Sequence, residues 1–138
     1  MTPSSLRIFV AVELSAEHKT KLKEIQTQLK SPGIDVRWVD PGQYHITLKF
    51  LGAVEAPRME FIRDMIQKIA QRTLPFNITL KGLGAFPSIE KPQIIWIGIT
   101  KGHDDLENLN TALESQFHSE GFNQDSRKFH AHVTLGKT

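Results

Sequence analysis

Apolar residues recur along the chain with two different periods, and the switches between them mark the elements. Residues 6–14, "LRIFVAVEL", are apolar and β-branched and predict a buried strand. Ser15 is placed to cap a helix, with Glu17 in its first turn, and Leu22, Ile25 and Leu29 then line one face until "SPG" at 31–33 ends it. Residues 35–39, "DVRWV", predict a strand, "DPGQ" at 40–43 a turn, and "YHITLKFL" at 44–51 the next strand. A helix over 57–72 carries the stripe Ile62, Met65, Ile66 and Ile69. Residues 76–86 and 93–99 predict two strands of a hairpin joined by a Pro-containing loop. Leu106, Leu109, Leu113 and Phe117 share one side of a third helix, with Gly121 where a left-handed cap belongs. The closing "RKFHAHVTLGKT" predicts a last strand. No linker divides these elements, so residues 1–138 are expected to form a single domain.

One piece of the pattern occurs twice. "HITL" at 45–48 returns as "HVTL" 87 residues later, each after a helix and an irregular stretch. From the composition alone this tetrapeptide is expected roughly 0.015 times in such a chain, so two copies are not chance. The spacing is too long for a solenoid repeat and suits two halves of a pseudo-symmetric fold, each presenting one strand. Strict alternation puts Tyr44, Ile46, Leu48 and Phe50 on one apolar face and His45, Thr47 and Lys49 on the other. In the second copy Phe129, Ala131, Val133 and Leu135 point inward, while His130, His132 and Thr134 point together.

Two imidazoles, each with a hydroxyl two residues away, suit phosphodiester chemistry without a metal. Histidine titrates at about pH 6.5, so at neutral pH one can accept a proton while the other donates one. Threonine hydroxyls can donate to the non-bridging oxygens as charge builds there. A metal-dependent alternative would use His45, His130 and His132, since "HAH" is a metal-site spacing. Against it, the chain has no cysteine, and no carboxylate flanks either motif. His18, His103 and His118 fall on helices or loops and are expected to be solvated.

Composition adds bounds rather than direction. The 138 residues are 39% hydrophobic and 23% charged, as in ordinary globular proteins. Disulfides and thiolate chemistry are excluded. The net charge of +2 and the pI near 9.0 are compatible with a polyanionic partner, but the basic residues are dispersed. Arg127 and Lys128 are candidates to touch an RNA backbone. Trp38, Phe86 and Trp96 are aromatic candidates for base contact, although the core is the ordinary place for such residues. The start does not read as a secretory leader, and the runs "IFVAV" and "IIWIGI" are far short of the ~20 residues that span a bilayer. A cytoplasmic monomer with no membrane partner is expected.

At the two motifs the chain resembles the 2H phosphoesterases, named for paired His-x-Thr-x motifs, and within them the RNA 2′,3′-cyclic phosphodiesterases, also called 2′-5′ RNA ligases. "LRIFVAVEL", "WVDPGQYHITLKFLG", "GLGAFPS…IIWIGI" and "FHAHVTLGK" carry the resemblance over nearly the whole chain. It implies a bilobal α+β fold, two pseudo-symmetric lobes with antiparallel sheets flanked by helices, and a central cleft between the motifs. It implies cofactor-free hydrolysis of a terminal 2′,3′-cyclic phosphate on RNA to a 2′-phosphomonoester, with reversible 2′-5′ ligation. By motif order His45 would be the proton donor and His132 the proton acceptor, with Thr47 and Thr134 binding the phosphate. Lys137 stands where many such proteins carry Arg, which removes bidentate geometry. The resemblance also implies a further helix and strand after the second motif, so an unpaired sheet edge is expected here. The alternative is a non-catalytic module that grips RNA or nucleotide phosphates.

Overall fold

The computed structural model describes residues 5–30, 35–88, 90–125 and 128–138. Strand β1 (Ser5–Glu13) leads into helix α1 (Ala16–Leu29), where the Ser15 hydroxyl accepts from the His18 amide at 3.2 Å as the sequence predicts. The predicted stop of this helix at 31–33 lies outside the described residues. After β2 (Arg37–Trp38), Asp40 caps a 3₁₀ turn at Pro41–Gln43 by accepting from the Gly42 amide at 2.9 Å. Strand β3 (His45–Glu55), α2 (Met59–Gln71), β4 (Leu80–Pro87), β5 (Pro92–Ile99), α3 (His103–Ser119) and β6 (His132–Lys137) complete the order.

Two antiparallel sheets result, a pair β1–β3 and a four-stranded sheet in the order β2-β6-β5-β4, and they meet where β3 and β6 touch. Each motif therefore opens one strand of its own sheet, as the internal echo implied. Helix α3 packs on β3, and α2 packs on α3. Helix α1 instead serves the other sheet, through Gln26. The core gathers Leu22, Ile46, Ile62, Leu106, Leu113, Phe117, Val133 and Leu135 between these layers. Strand β6 is paired on both sides, and the four-stranded sheet ends on the two-residue β2 and on β4. The end of α3 closes as predicted at Gly121 (φ +93°). The Gly121 amide donates to His118 and the Phe122 amide to Phe117, while the rings of Phe117 and Phe122 meet edge to face at 5.4 Å.

Strand β1, expected to be buried, keeps only Val10 inside, with Leu6 and Phe9 largely exposed, because among the described residues it pairs with β3 alone. Three further expectations are corrected. Strand β4 begins at Leu80 rather than 76, because the backbone of Thr79 bonds instead to Lys101 and Thr100. Strand β6 begins only at His132. The third correction concerns the faces of β3. Val10 pairs with Lys49 and Ala11 with Thr47, so one step on β1 matches two on β3 and Leu48 is the extra residue of a bulge. Leu48 and Lys49 then lie on the same, buried side, and Phe50 swings to the opposite face, where it is 64% exposed. Phe50 is thus not core, and Lys49 is.

A buried lysine must be paired, because an isolated charge in the interior is costly. Lys49 Nζ lies 3.0 Å from Glu114 Oε1 and donates to the Asn123 carbonyl at 3.0 Å, while Glu114 Oε2 accepts from the Asp125 amide at 3.1 Å. The pair ties α3 and the segment after it to β3. Either single change breaks the pair, but loss of Glu114 strands the more deeply buried charge, whereas the carboxylate left without Lys49 is partly exposed and still accepts from the Asp125 amide. Glu114→Gln is expected to lose about 3 kcal/mol in urea unfolding and Lys49→Met distinctly less. A Lys49→Met loss equal to or above that of Glu114→Gln would contradict this ordering.

Candidate active site

The bulge after Thr47 has a twin. On the other sheet Trp96 pairs with Thr134 and Ile95 with Gly136, so Leu135 is an extra residue in β6 as Leu48 is in β3. Burial from the motif histidine onward is accordingly the same in both strands, with Ile46, Leu48 and Lys49 matched by Val133, Leu135 and Gly136. In both, a side-chain amide from a helix meets the carbonyl of the extra leucine. Asn110 Nδ2 on α3 donates to Leu48 at 2.7 Å, and Gln26 Nε2 on α1 donates to Leu135 at 2.9 Å and to Val39 at 2.8 Å. Gln26 is itself buried, where an unbonded amide would be costly.

The histidines repeat the correspondence. His45 Nδ1 lies 2.7 Å from the Gln43 carbonyl, and His132 Nδ1 lies 2.6 Å from the His130 carbonyl, two residues back in each case. A carbonyl only accepts, so Nδ1 carries the hydrogen in both rings and Nε2 is left as the atom that can take up or deliver a proton. His132 is held below the ordinary histidine range chiefly by burial, with the His130 carbonyl bond pulling the other way. His130 is also lowered, by burial first and then by His132 and His103.

Thr47, His132 and Thr134 line one cavity of about 510 Å³, together with Phe50, Phe86 and Lys128. His45 is not among the residues that line it; it stands two residues before Thr47 on β3, its ring stacked on Phe9 with centroids 4.9 Å apart and planes 28° apart. Of the basic candidates, Lys128 is on this wall and Arg127 lies outside the described residues. Lys137 lines the cavity too, at the position in β6 that Phe50 holds in β3. Asn110 and Glu114 on α3 and Asp125 in the segment after it also line it and were not legible in the sequence, because neither stretch carries a motif. Among the described residues, the one group of donors close enough to share a metal ion is His103, Asp104 and Glu107, none of them in the motifs.

The aromatic candidates divide. Trp38 is half-buried against the core, as expected. Phe86 lines the cavity and meets His130 and His132 edge-on at 5.8 and 5.5 Å, while Trp96 packs behind it, 5.0 Å from the Phe86 ring and 4.7 Å from His130. Glycine makes this arrangement fit. Gly84 pairs with Trp96 across the ladder, and a Cβ there would stand 2.3 Å from the indole Cζ2. No helix among the described residues is long and apolar enough to cross a membrane.

Comparison with known proteins agrees with the geometry. The family described as LigT-like phosphoesterase matches residues 12–96. A protein of Aquifex aeolicus called RNA 2′,3′-cyclic phosphodiesterase is 38% identical over 101 residues, 72% of this chain and 53% of its own length. One of the same name from Aeropyrum pernix is 32% identical over 85% of this chain and 65% of its own length. A third, from Archaeoglobus fulgidus, is 33% identical over 96% of this chain and 72% of its own. The chain thus spans a little over half to under two thirds of the first two. Among solved structures, a Thermus thermophilus protein superposes with a TM-score of 0.87 at 25% identity, covering 96% of this chain and 74% of its own. Escherichia coli LigT complexed with 3′-AMP superposes with a TM-score of 0.77 at 28% identity, covering 97% and 74%.

The glycine floor under Trp96 makes a test of this wall. Gly84→Ala is expected to cost about 1–3 kcal/mol by overpacking and to shift the Trp96 fluorescence. Wild-type stability with unchanged emission would show that the indole does not lie against residue 84.

Proposed function

The chain belongs to the LigT-like phosphoesterase family, and from that premise we propose that it is a metal-independent 2′,3′-cyclic phosphodiesterase acting on RNA ends or cyclic nucleotides. The supporting observation is the shared wiring of the two motif histidines, each with Nδ1 tied to the carbonyl two residues back. Both rings are thereby held in the same tautomer with Nε2 left for proton transfer, which is what a paired acid and base require.

In this reading His132 Nε2 takes a proton from water as its oxygen attacks phosphorus. The bond from phosphorus to the ribose 3′ oxygen breaks, and protonated His45 gives its Nε2 proton to that leaving oxygen. A 2′-phosphomonoester and a free 3′ hydroxyl result, with His45 neutral and His132 protonated, so solvent exchange resets both. Thr47 and Thr134 donate to the non-bridging oxygens. With the 5′ hydroxyl of a second RNA in place of water, the same roles would join it to the 2′ phosphate as the 3′ oxygen leaves, which is 2′-5′ ligation; cleavage of that linkage back to the cyclic phosphate exchanges the roles. Burial of His132 favours its neutral form, so the base stays ready at lower pH than an exposed histidine would.

Two outcomes are expected. His45→Ala and His132→Ala should each lower hydrolysis of a 2′,3′-cyclic nucleotide in EDTA by about 10²–10⁴-fold with folding retained. Undiminished turnover in both would sink the proposal. Because a lowered pKa delays protonation as pH falls, the acid limb of kcat/KM should lie below pH ~6.5. An acid limb clearly above that value would remove His132 as the base.

A further inference from the structure

Helix α1 precedes the first motif in the chain and α3 precedes the second, yet each reaches the strand of the other motif. Gln26 on α1 donates to the carbonyl of Leu135, the residue after Thr134, and Asn110 on α3 donates to that of Leu48, the residue after Thr47. Both targets are the extra residues of the two bulges. The same chemical group thus meets the same point of the backbone twice.

The place of the extra residue decides where the threonine points. With Trp96 opposite Thr134 and Ile95 opposite Gly136, Leu135 is the unpaired residue and Thr134 faces the cavity. Were the extra residue one place earlier, Leu135 would stand opposite Trp96 and Thr134 would turn into the core. The ladder alone does not choose between these arrangements, since each disturbs it once. A donor aimed at one carbonyl does choose. Gln26 gives its other amide hydrogen to the Val39 carbonyl at 2.8 Å, and the Val39 amide meets the same Leu135 carbonyl at 2.8 Å. The glutamine therefore clamps Leu135 to the residue that follows β2. Asn110 stands on the cavity wall, whereas Gln26 is 3% exposed and does not line the cavity. Gln26 therefore acts on anything bound there only through the backbone it holds.

We infer that Gln26 is the positioning residue for Thr134, and Asn110 its counterpart for Thr47, so that each hydroxyl is aimed from the helix that precedes the other motif. The inference rests on the proposed function for what the hydroxyls hold, a phosphate whose charge grows in the transition state. A hydroxyl slightly out of place forfeits mainly the bond that strengthens there, so loss of either amide lowers kcat more than it raises KM.

The test is a double-mutant cycle on kcat for a 2′,3′-cyclic nucleotide in EDTA. Thr134→Val alone should cost about 10²-fold and Gln26→Met alone about tenfold, with KM changed less than about twofold by Gln26→Met. In the Thr134→Val background Gln26→Met should cost less than about twofold, because the hydroxyl it aims is gone. In the Thr47→Val background it should keep its cost of about tenfold. Equal losses in both backgrounds would make Gln26 a general support of the fold and overturn the inference, as would no loss in the otherwise wild-type chain. Where Gln26→Met does not fold, Gln26→Glu, of the same length, takes its place in the cycle. Should wild type turn over no cyclic nucleotide, the proposed chemistry fails, and the same cycle is read on binding of inorganic phosphate. A loss that vanishes only in the Thr134→Val background supports the positioning role, and additive losses or no phosphate binding by wild type overturn it.

Discussion

A one-residue bulge immediately after each motif threonine governs this molecule. Without it, a strand that alternates strictly would carry His45, Thr47 and Lys49 on one face and bury Phe50. With it, Lys49 goes inward and Phe50 outward, and in the other sheet Gly136 goes inward and Lys137 outward. A bulge disturbs the ladder, so its backbone groups need other partners. Asn110 and Gln26 meet that need, reaching the leucine carbonyls from two different helices. The site therefore depends on helix packing as much as on the strands that display it.

The two halves share a frame but not their contents. On the β3 side the inward position is a lysine that α3 must neutralise through Glu114, and the outward position is an exposed ring. On the β6 side the inward position is Gly136, where a Cβ would stand 2.6 Å from Val36 Cγ1, and the outward position is a cation. At this one matched position the β3 half brings an aromatic ring to the cavity and the β6 half a cation. The two positions differ in residue while sharing the same backbone device. Phe86, with Trp96 behind it, stands on the same side as His132, where burial favours the neutral imidazole.

Much of this was legible in the sequence. The caps at Ser15 and Gly121, the turn at 40–43, the three helices and the hairpin strands follow from local residue chemistry, and the repeated motif is what singles out His45, Thr47, His132 and Thr134 as candidates. Phe50 and Lys49 were misread because periodicity carries no sign of a bulge, which depends on the pairing partner. Lys49 could have given a hint, being a charge in an otherwise apolar run with no partner nearby in sequence. Asn110, Glu114 and Gln26 escaped for a different reason. Their links to the motif strands span 62 to 109 residues of chain, and each looks like an ordinary helix residue in its own neighbourhood.

The central claim is that the two motif histidines present equivalent Nε2 atoms to one phosphate. Nitrogen-15 NMR of the histidine side chains, titrated with a nucleoside 2′-monophosphate, addresses it most directly. The account predicts the Nδ1–H tautomer for both His45 and His132 in their neutral forms, and Nε2 shifts of both rings that saturate together at one ligand per chain. An Nε2–H tautomer at either residue, or a response from only one of the two rings, would contradict it.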